Sequence, residues 1–363
     1  MLIAGLELRN FRNYERLELD LCDGLTILHG PVGTGKTNLI EALYFACTGR
    51  SCRTSDERRL VRFGESTARV SIATSESDLE RHFEVALQLT PERSKVMRAD
   101  GEPVTSIAEL DGRPLVCVFL PERMELVKGA AGGRRGHLDS FIGALWPARA
   151  QSRRSYRRAL AQRNVLLRSI RAGVAPADSL AGWNRELARA GVELREHRRE
   201  AVEQLTPYFG TRAAELGLVN VATLEYRPGT SAASAEEFEV ELEQTLEADL
   251  SRAFTTRGPH RDDLRFDMGT RDLRRYGSQG QQRLGLLALL LAERDCLTSQ
   301  RGAPPLLLLD DVLSELDHER RNRLAQTVAQ AGQTLITTAD EAAAFALDAP
   351  LTRLRVHEGS LVA

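Results

Sequence analysis

The stretch Gly30-Pro-Val-Gly-Thr-Gly-Lys-Thr37 decides the fold class of this 363-residue chain. It matches the pattern G-x-x-x-x-G-K-[ST], in which the backbone N–H groups of a glycine-rich loop and of the next helix surround the phosphates of a nucleotide. The apolar segment Leu25–His29 before it predicts a buried strand, and the spacing in residues 38–47 predicts a helix. Only three of the 49 basic residues are lysines, and one of them is Lys36. The sequence therefore predicts a nucleoside triphosphate site.

The residue types of this loop indicate both binding and catalysis. Lys36 is expected to place its positive charge on the β- and γ-phosphates, which makes it the first predicted catalytic residue. The hydroxyl of Thr37 is expected to bind Mg²⁺. The predicted nucleotide-binding set of the loop is Gly30, Pro31, Val32, Gly33, Thr34, Gly35, Lys36, Thr37 and Asn38.

An acid pair follows four consecutive leucines at residues 306–309 and predicts the second half of the site. Asp310 and Asp311 stand where a buried strand ends, and two adjacent unpaired carboxylates are costly there unless a cation or bound water is present. Asp310 is the expected Mg²⁺ ligand. Asp311 is the expected general base for an attacking water and the second predicted catalytic residue.

The hydrophobic pattern predicts an α/β fold in which one segment interrupts another. Residues 1–130 carry strand-like runs and the glycine-rich loop, and residues 252–363 contain two further buried strands. Between them, residues 131–251 have apolar side chains at steps of 3 and 4. This spacing predicts an inserted arm of two or three packed helices.

Composition excludes several classes of protein. The net charge of −2 excludes a general polycation, so any attraction for nucleic acid must come from local patches. No apolar run is long enough for a signal peptide or a membrane span, which predicts a cytoplasmic protein without a membrane partner. The five cysteines form no C-x-x-C pair and are odd in number, which favours reduced thiols over a zinc site.

Several motifs in order along the chain resemble one family. Tyr276-Gly-Ser-Gln-Gly-Gln-Gln-Arg283 resembles the signature loop of ABC-type ATPases, and Ser314-Glu-Leu-Asp317 resembles their D-loop. The other motifs are Leu8-Arg-Asn-Phe-Arg-Asn-Tyr14, Thr48-Gly-Arg-Ser51, Gly258-Pro-His-Arg-Asp-Asp-Leu264 and Leu308-Leu-Asp-Asp-Val-Leu-Ser-Glu-Leu-Asp317. Together they are similar to the SMC/Rad50-like ATPases, and among these to bacterial recombination mediators, over nearly the whole chain.

The resemblance implies an ABC-type head with a mixed sheet, an antiparallel β lobe and the helical arm. It implies that the signature loop of one copy covers the γ-phosphate held by another, so that ATP joins two heads in a homodimer. Ser278, Gly280 and Gln281 would bind the nucleotide in this way, and Ser278 joins the predicted catalytic residues. The implied activity is a slow, Mg²⁺-dependent and DNA-stimulated ATPase. The implied partners are double-stranded and gapped DNA and RecR with RecO, in loading RecA.

A basic stretch within the predicted arm is the candidate DNA contact. Residues 149–171 hold eight arginines and no acid. Their helical spacing places Arg153, Arg154 and Arg157 on one face, and Arg134 and Arg135 are expected to extend it. On charge alone, a solvated surface of an arginine-rich protein is an equal interpretation. Given the resemblance, DNA backbone binding is favoured, and the scarcity of aromatic residues indicates duplex rather than single strand.

Departures from the family pattern keep alternatives open. No histidine follows the strand Thr334–Thr338, where many ABC heads carry a γ-phosphate sensor, and Thr338 and Asp340 are the candidates to replace it. Glu122 is the nearest candidate for the glutamine that usually binds Mg²⁺. The alternatives are a transporter ATPase subunit, an SMC/Rad50-type tether, and a scaffold that binds ATP without turnover. Lys36 and Asp310 are 274 residues apart, which is too short a distance along the chain for a long tether arm.

Overall fold

The computed structural model describes residues 1–76, 79–90, 92, 94–218, 221–329, 332–342, 351–357 and 359–362. The chain divides into two compact units. The first unit contains residues 1–123, 215–217 and 293–363, and the second contains residues 124–214 and 218–292. The three segments predicted from the motifs, with boundaries at 130/131 and 251/252, stay a prediction.

The first unit contains an antiparallel sheet with one buried face. In β1 the buried Leu6 and Leu8 alternate with the exposed Glu7 and Arg9, so one face packs on the core and the other meets solvent. The strand order is β2-β1-β4-β5-β6-β7. These strands are β1 (Leu2–Phe11), β2 (Tyr14–Asp20), β4 (Thr67–Glu76), β5 (Leu79–Gln88), β6 (Ser94–Ala99) and β7 (Glu102–Val104).

A second, mixed sheet of the first unit has the order β15-β14-β3-β13-β12-β8. All its neighbouring strands are parallel except β14 and β15. Every residue of β3, β12 and β13 is buried, which explains their unbroken apolar runs. The strands are β3 (Leu25–His29), β8 (Val116–Phe119), β12 (Leu306–Asp310), β13 (Thr334–Thr338), β14 (Leu351–His357) and β15 (Ser360–Val362).

Two helices of the first unit follow strands of the mixed sheet. Helix α1 (Lys36–Thr48) begins one loop after β3, and α10 (His318–Ala329) lies between β12 and β13. Because β3, β13 and β12 are parallel neighbours, the residues that follow them meet at one edge of the sheet. The topology therefore brings the glycine-rich loop and the acid pair together, although β13 separates their strands.

The second unit is mostly helical and also contains a three-stranded antiparallel sheet, β11-β10-β9. Its strands are β9 (Ala222–Arg227), β10 (Asp263–Met268) and β11 (Arg271–Asp272). Its helices are α2 (Glu125–Lys128), α3 (Ala131–Leu145), α4 (Ala150–Arg171), α5 (Ala181–Glu215), α6 (Ala235–Gln244), α7 (Leu246–Arg252) and α8 (Leu273–Tyr276). Helix α9 (Gln279–Arg301) begins in this unit, and its residues from Glu293 onward belong to the first unit.

The strand β9 is a difference from the sequence analysis, which predicts only helices up to residue 251. Ala222 and Leu224 are buried and Glu225 is exposed, so the segment has the period of a strand. Because this strand is only six residues long and lies between longer segments with helical spacing, its pattern is too weak to predict it. The helical spacing itself is confirmed in α5, where Leu187 and Leu194 are fully buried.

Two general features bear on the expectations from composition. The five cysteines are free thiols, and Cys47, Cys117 and Cys296 are buried. Within the described ranges, none of the helices is long and apolar enough to cross a bilayer.

Candidate nucleotide site

The loop between β3 and α1 has a backbone that requires glycine at two points. Gly30 has a φ of 147° and Gly35 a φ of 111°, conformations that other residues rarely adopt. A Cβ at Gly30 would lie 2.5 Å from the Val356 carbonyl oxygen, and one at Gly35 would lie 2.5 Å from Asn13 Nδ2. The loop is therefore held closely by its neighbours, as a phosphate-binding loop must be.

Lys36 lies against the loop from which it starts α1. Its ammonium donates to the carbonyl oxygens of Gly30 at 2.6 Å and Pro31 at 2.7 Å. Burial lowers its pKa, and the charges of Asp311 and Asp310 oppose this effect. The ammonium is thus kept beside the loop and close to two carboxylates.

Thr37 and Asp310 meet although they are far apart in the chain. The Thr37 hydroxyl lies 2.9 Å from both carboxylate oxygens of Asp310, and Thr337 Oγ1 donates to the same carboxylate at 2.5 Å. Burial raises the pKa of Asp310 despite these hydrogen bonds, and the charges of Asp311 and Glu122 add to the effect. A buried carboxylate beside a hydroxyl fits Mg²⁺, which takes few protein ligands and completes its shell with phosphate and water.

Asp311 is strained and has an unused acceptor. Its φ of 47° lies in the left-handed region, which is costly for a residue with a side chain. Its backbone N–H is held by Thr337, with the carbonyl oxygen and the hydroxyl both at 3.1 Å. Its Oδ1 is buried and has no hydrogen-bond partner in the described part of the chain. A strained residue with an unpaired acceptor indicates a functional role.

The hairpin turn between β1 and β2 supports the loop, a role that the sequence analysis did not assign. Asn13 Nδ2 donates to the Thr34 carbonyl oxygen at 3.1 Å, and Asn38 Nδ2 donates to Asn13 Oδ1 at 2.7 Å. The buried Tyr14 hydroxyl donates to the Gly35 carbonyl oxygen at 3.1 Å. In the sequence, the motif at residues 8–14 indicates only a family resemblance. Residues at the end of β1, in the turn and at the start of β2 carry no local signal of contact with the loop.

A buried glutamate ties the same hairpin to α1. Glu41 is fully buried and accepts two hydrogen bonds from the Arg12 guanidinium, at 2.8 and 2.9 Å. Ser51 Oγ donates to it at 2.5 Å, and Arg53 Nη1 lies 3.6 Å away. This explains two further motifs of the sequence, because residues 8–14 and 48–51 share one buried carboxylate.

The glycine-rich loop and the acid pair line a cavity of about 310 Å³, within the size range of small-molecule sites. Val32 lies at its mouth and is 88% exposed. The other residues that line it are Gly33, Gly35, Lys36, Thr37, Asn38, Arg53, Pro121, Asp310, Asp311, Thr337 and Ala339. The structure therefore brings Lys36, Thr37, Asp310 and Asp311 together as the sequence predicted. Of the loop, Gly30, Pro31 and Thr34 are not among the residues that line the cavity.

The candidates for the missing family residues lie near this cavity. Glu122 is exposed beside Pro121, with its carboxylate 4.0 Å from Arg53 Nε. Thr338 is buried, and its hydroxyl accepts from the Asp340 N–H at 3.1 Å. The hydroxyl of Thr338 is thus already engaged. The roles of Glu122, Thr338 and Asp340 stay predictions.

The predicted signature loop belongs to the second unit and begins α9. Ser278 Oγ accepts from the Gln281 N–H at 3.3 Å, and Gln281 Oε1 accepts from the Ser278 N–H at 2.8 Å. This reciprocal pair is a capping box, which fixes the start of the helix. Ser278 and Gly280 are exposed, so the N-terminus of α9 faces solvent. Their action on a second copy stays a prediction.

The arginine-rich stretch divides into a buried and an exposed part. Arg163 is fully buried and donates to Asp249 at 2.7 Å. Arg153 Nε lies 3.1 Å from Asp139 Oδ2. Arg154 and Arg157, by contrast, are exposed on the same helix. Fewer arginines of this stretch therefore reach solvent than the count of eight indicates.

The expectation that Arg134 extends this basic face is wrong. Arg134 is buried, and its guanidinium pairs with Asp263 at 2.6 Å and donates to the Gly129 carbonyl oxygen at 2.9 Å. Arg135 Nη1 donates to the Asp262 carbonyl oxygen at 2.8 Å. A run of arginines in the sequence does not distinguish a guanidinium that packs inside the fold from one that meets solvent.

Comparison with known protein families agrees with the geometry of this site. The family model described as the RecF/RecN/SMC N terminal domain matches residues 2–359. Curated proteins named DNA replication and repair protein RecF are similar over nearly the whole chain. The relative from Anaeromyxobacter is 39% identical over 100% of this chain and 99% of its own. The relative from Herpetosiphon aurantiacus is 35% identical over 99% of both chains.

Solved structures are similar as well. The structure of the recombination mediator protein RecF-ATP in the RecFOR pathway has a TM-score of 0.88 and 28% sequence identity, covering 99% of this chain and 97% of that one. An Smc head bound to the C-winged helix domain of ScpA has a TM-score of 0.59 at 16% identity, covering 99% of this chain and 96% of that one, which shows the fold alone. The predicted ABC-type head and the resemblance to SMC/Rad50-like ATPases are therefore confirmed.

Proposed function

This chain belongs to the RecF family of DNA replication and repair proteins, and we propose that it is an ATP-dependent DNA clamp. The observation that carries the proposal is the convergence of Lys36, Thr37, Asp310 and Asp311 on one cavity. These are the residue types that bind and cleave a nucleoside triphosphate. The solved RecF-ATP structure supports ATP as the nucleotide.

Each residue of the site has its own role in the proposed ATP hydrolysis. The loop at residues 30–35 holds the phosphates through its N–H groups, and the Lys36 ammonium binds the β- and γ-phosphates. Mg²⁺ held by Thr37 and Asp310 would neutralise charge on the same phosphates. Asp311 orients the attacking water with its unpaired Oδ1 and accepts its proton. Because its side chain is one methylene shorter than glutamate, we expect slow turnover.

A second copy of the chain completes the site in this proposal. The capping box holds Ser278 and Gln281 at the exposed start of α9, where helix N–H groups and the helix dipole favour an anion. Ser278, Gly280 and Gln281 of one copy contact the γ-phosphate bound by the other. ATP then joins two copies, and hydrolysis with phosphate release separates them.

DNA is the proposed ligand of the clamp. The exposed Arg154 and Arg157 on α4 contact the phosphates of a duplex. Arg153, which pairs with Asp139, contributes a third phosphate contact. Such contacts are independent of base sequence and weaken steeply with salt. We propose that the protein acts in the cytoplasm on duplex beside single-stranded gaps. The RecFOR pathway of the solved relative supports RecR and RecO as partners in loading RecA.

Sedimentation velocity tests this proposal. The wild-type chain, with ATP, Mg²⁺ and a short duplex, is expected to sediment as a dimer, whereas Lys36→Met is expected to stay monomeric because it loses the charge that holds the phosphates. Lys128→Met is the matched control, since Lys128 is an exposed lysine of the second unit. A wild-type chain that stays monomeric with both ligands contradicts the clamp.

A further inference from the structure

The antiparallel sheet of the first unit carries a basic groove on its outer face. The groove has a volume of about 420 Å³, and none of the described residues that line it is acidic, although the chain has 51 acidic residues. Its polar side chains are Arg9, Arg69, Asn10, Thr67, Gln88 and Ser94. Guanidinium, amide and hydroxyl groups are the donors that proteins use for phosphate and sugar oxygens.

Three arginines lie side by side across this face. The strand register places Arg9 opposite Arg16 on β2 and opposite Arg69 on β4. Like charges opposite each other destabilise a sheet. Arg16 pairs with Glu18 at 2.6 Å and Arg69 pairs with Glu84, but Arg9 has no ion pair or side-chain hydrogen bond to any described residue. Among the described residues, Arg9 is therefore the member of the row whose charge no carboxylate compensates, and a phosphate of a polyanion would compensate it.

A fully exposed aromatic ring lies next to the groove. Phe63 is 102% exposed. Its turn is tied to Asn10, whose carbonyl oxygen accepts from the Arg62 N–H at 2.8 Å and whose Nδ2 donates to Glu65 at 3.2 Å. Arg62 in turn pairs with Glu15 at 2.7 Å. The turn that carries the exposed Phe63 ring is thus hydrogen-bonded to Asn10, a residue of the groove.

We propose that this face binds an unpaired nucleic-acid strand, with its phosphates along Arg9 and Arg69 and one base stacked on Phe63. Proteins that bind single strands combine a basic groove with an aromatic side chain in this way. A base inside a duplex is covered on both sides and offers Phe63 no free surface. The aromatic residue within α4 itself, Tyr156, is buried, so the exposed arginines of that helix have no exposed ring on the same helix, and we expect the two surfaces to select different strands. The inference rests on the proposed function only in taking nucleic acid as the ligand.

The test is fluorescence anisotropy without ATP, using a fluorescein-labelled 20-mer of thymidine and a blunt 20-base-pair duplex. Phe63→Ala is expected to weaken binding of the 20-mer at least about fivefold, the low end for one stacked base, and Phe63→Trp to restore it. Arg9→Gln with Arg69→Gln is expected to flatten the salt slope by about 0.7 per lost phosphate contact. Duplex affinity is expected to stay within twofold of wild type in the Phe63→Ala variant.

Two matched controls belong to the same experiment. Leu79→Ala removes an exposed apolar side chain from β5 of the sheet, and Arg323→Gln removes one exposed positive charge from α10. Both are expected to bind the 20-mer like wild type. The inference is overturned if wild type does not bind the 20-mer, if Phe63→Ala binds it unchanged, or if polyglutamate competes as well as the 20-mer. Because ATP is omitted, a failure of ATP-driven dimerisation would leave these readouts unaffected.

Discussion

The side chain of Asp311 is the residue on which turnover depends. Its left-handed backbone and its buried Oδ1, which has no hydrogen-bond partner among the described residues, are both costly. We expect Asp311→Asn to keep ATP binding and to lower hydrolysis by about 100-fold or more, because an amide cannot take a proton from water. Phosphate release measures the loss, and sedimentation is expected to show a longer-lived ATP-bound dimer.

Asp100 provides the control for that change. It has a φ of 53°, also left-handed, but its carboxylate accepts hydrogen bonds from Arg81 and from the His82 N–H. Asp100→Asn should therefore leave hydrolysis unchanged. Equal, measurable rates for wild type and Asp311→Asn would show that Asp311 is not the general base, whereas ATP binding without phosphate release in wild type would favour the scaffold without turnover.

His260, in the second unit, is expected to make stability depend on pH. Its Nε2 lies 2.9 Å from the Thr255 carbonyl oxygen, which can only accept, so Nε2 carries the proton and Nδ1 accepts from the Tyr156 hydroxyl at 2.7 Å. Burial lowers its pKa from 6.5 to about 4, and the hydrogen bond to Thr255 opposes the shift. The ring is thus neutral in the fold and takes up a proton more readily when unfolded.

The sign of this effect follows from the lowered pKa. The stability that neutral His260 contributes is fully present above pH 6.5 and is lost as the pH falls towards 4, by at most about 3 kcal/mol. We expect the melting temperature of wild type to fall more between pH 7 and 5 than that of His260→Gln. The exposed His82→Gln should behave like wild type, and the same fall in all three proteins would contradict the assignment.

At the scale of elements, α4 has one face that is buried in the fold and one face that is exposed and proposed to bind DNA. Arg163 and Asp249 are both completely buried and form an ion pair, so removing one partner leaves a buried charge. We expect Arg163→Gln to lower the free energy of unfolding by about 3–5 kcal/mol. The same substitution at the exposed Arg157 should change the free energy of unfolding by less than about 0.5 kcal/mol. It should weaken duplex binding and make the affinity depend less steeply on salt.

The two variants control each other, because they share a helix and a residue type. Chemical denaturation and salt-dependent duplex binding separate the outcomes. A stable Arg163→Gln protein would show that the buried pair is dispensable. An Arg157→Gln protein with unchanged duplex affinity and salt slope would remove α4 from the proposed DNA contact.

Elements whose pattern was strong were predictable, and weak ones were not. The strand Leu25–His29 and the helix after it follow from an apolar run and the loop motif, and β12 and β13 from their buried runs. The short strand β9 was missed because six alternating residues carry little signal between helices. Strength of local pattern, rather than importance to the site, decided which elements could be predicted.

At the scale of the whole molecule, each unit has its own hydrophobic core. The nucleotide cavity lies in the first unit, whereas both tryptophans, Trp146 and Trp183, belong to the second. We expect ATP with Mg²⁺ to raise the stability of the first unit by about 2.7 kcal/mol at 100 times its dissociation constant. Calorimetry should detect this gain as a higher melting temperature. Tryptophan fluorescence, which reports on the second unit, should show a smaller rise in melting temperature.

Lys36→Met should abolish the calorimetric shift, because the ligand no longer binds. Equal shifts in calorimetry and in tryptophan fluorescence would show that the two units unfold as one and would contradict the smaller shift expected in fluorescence. The comparison requires the same protein concentration throughout, since a dimer would itself change the melting temperature.

By itself, the sequence determined the chemistry of the site. The motif at residues 30–37, the acid pair and the apolar runs around them are local patterns, and local patterns report which backbone a segment adopts and which groups it carries. Only the tertiary structure decided which of these groups meet. Thr37 contacts Asp310 across 273 residues because β3, β13 and β12 are neighbours in one sheet. The burial of Arg163 and the exposure of Arg157 and Phe63 were decided in the same way, since packing against distant segments determines which side chains reach water.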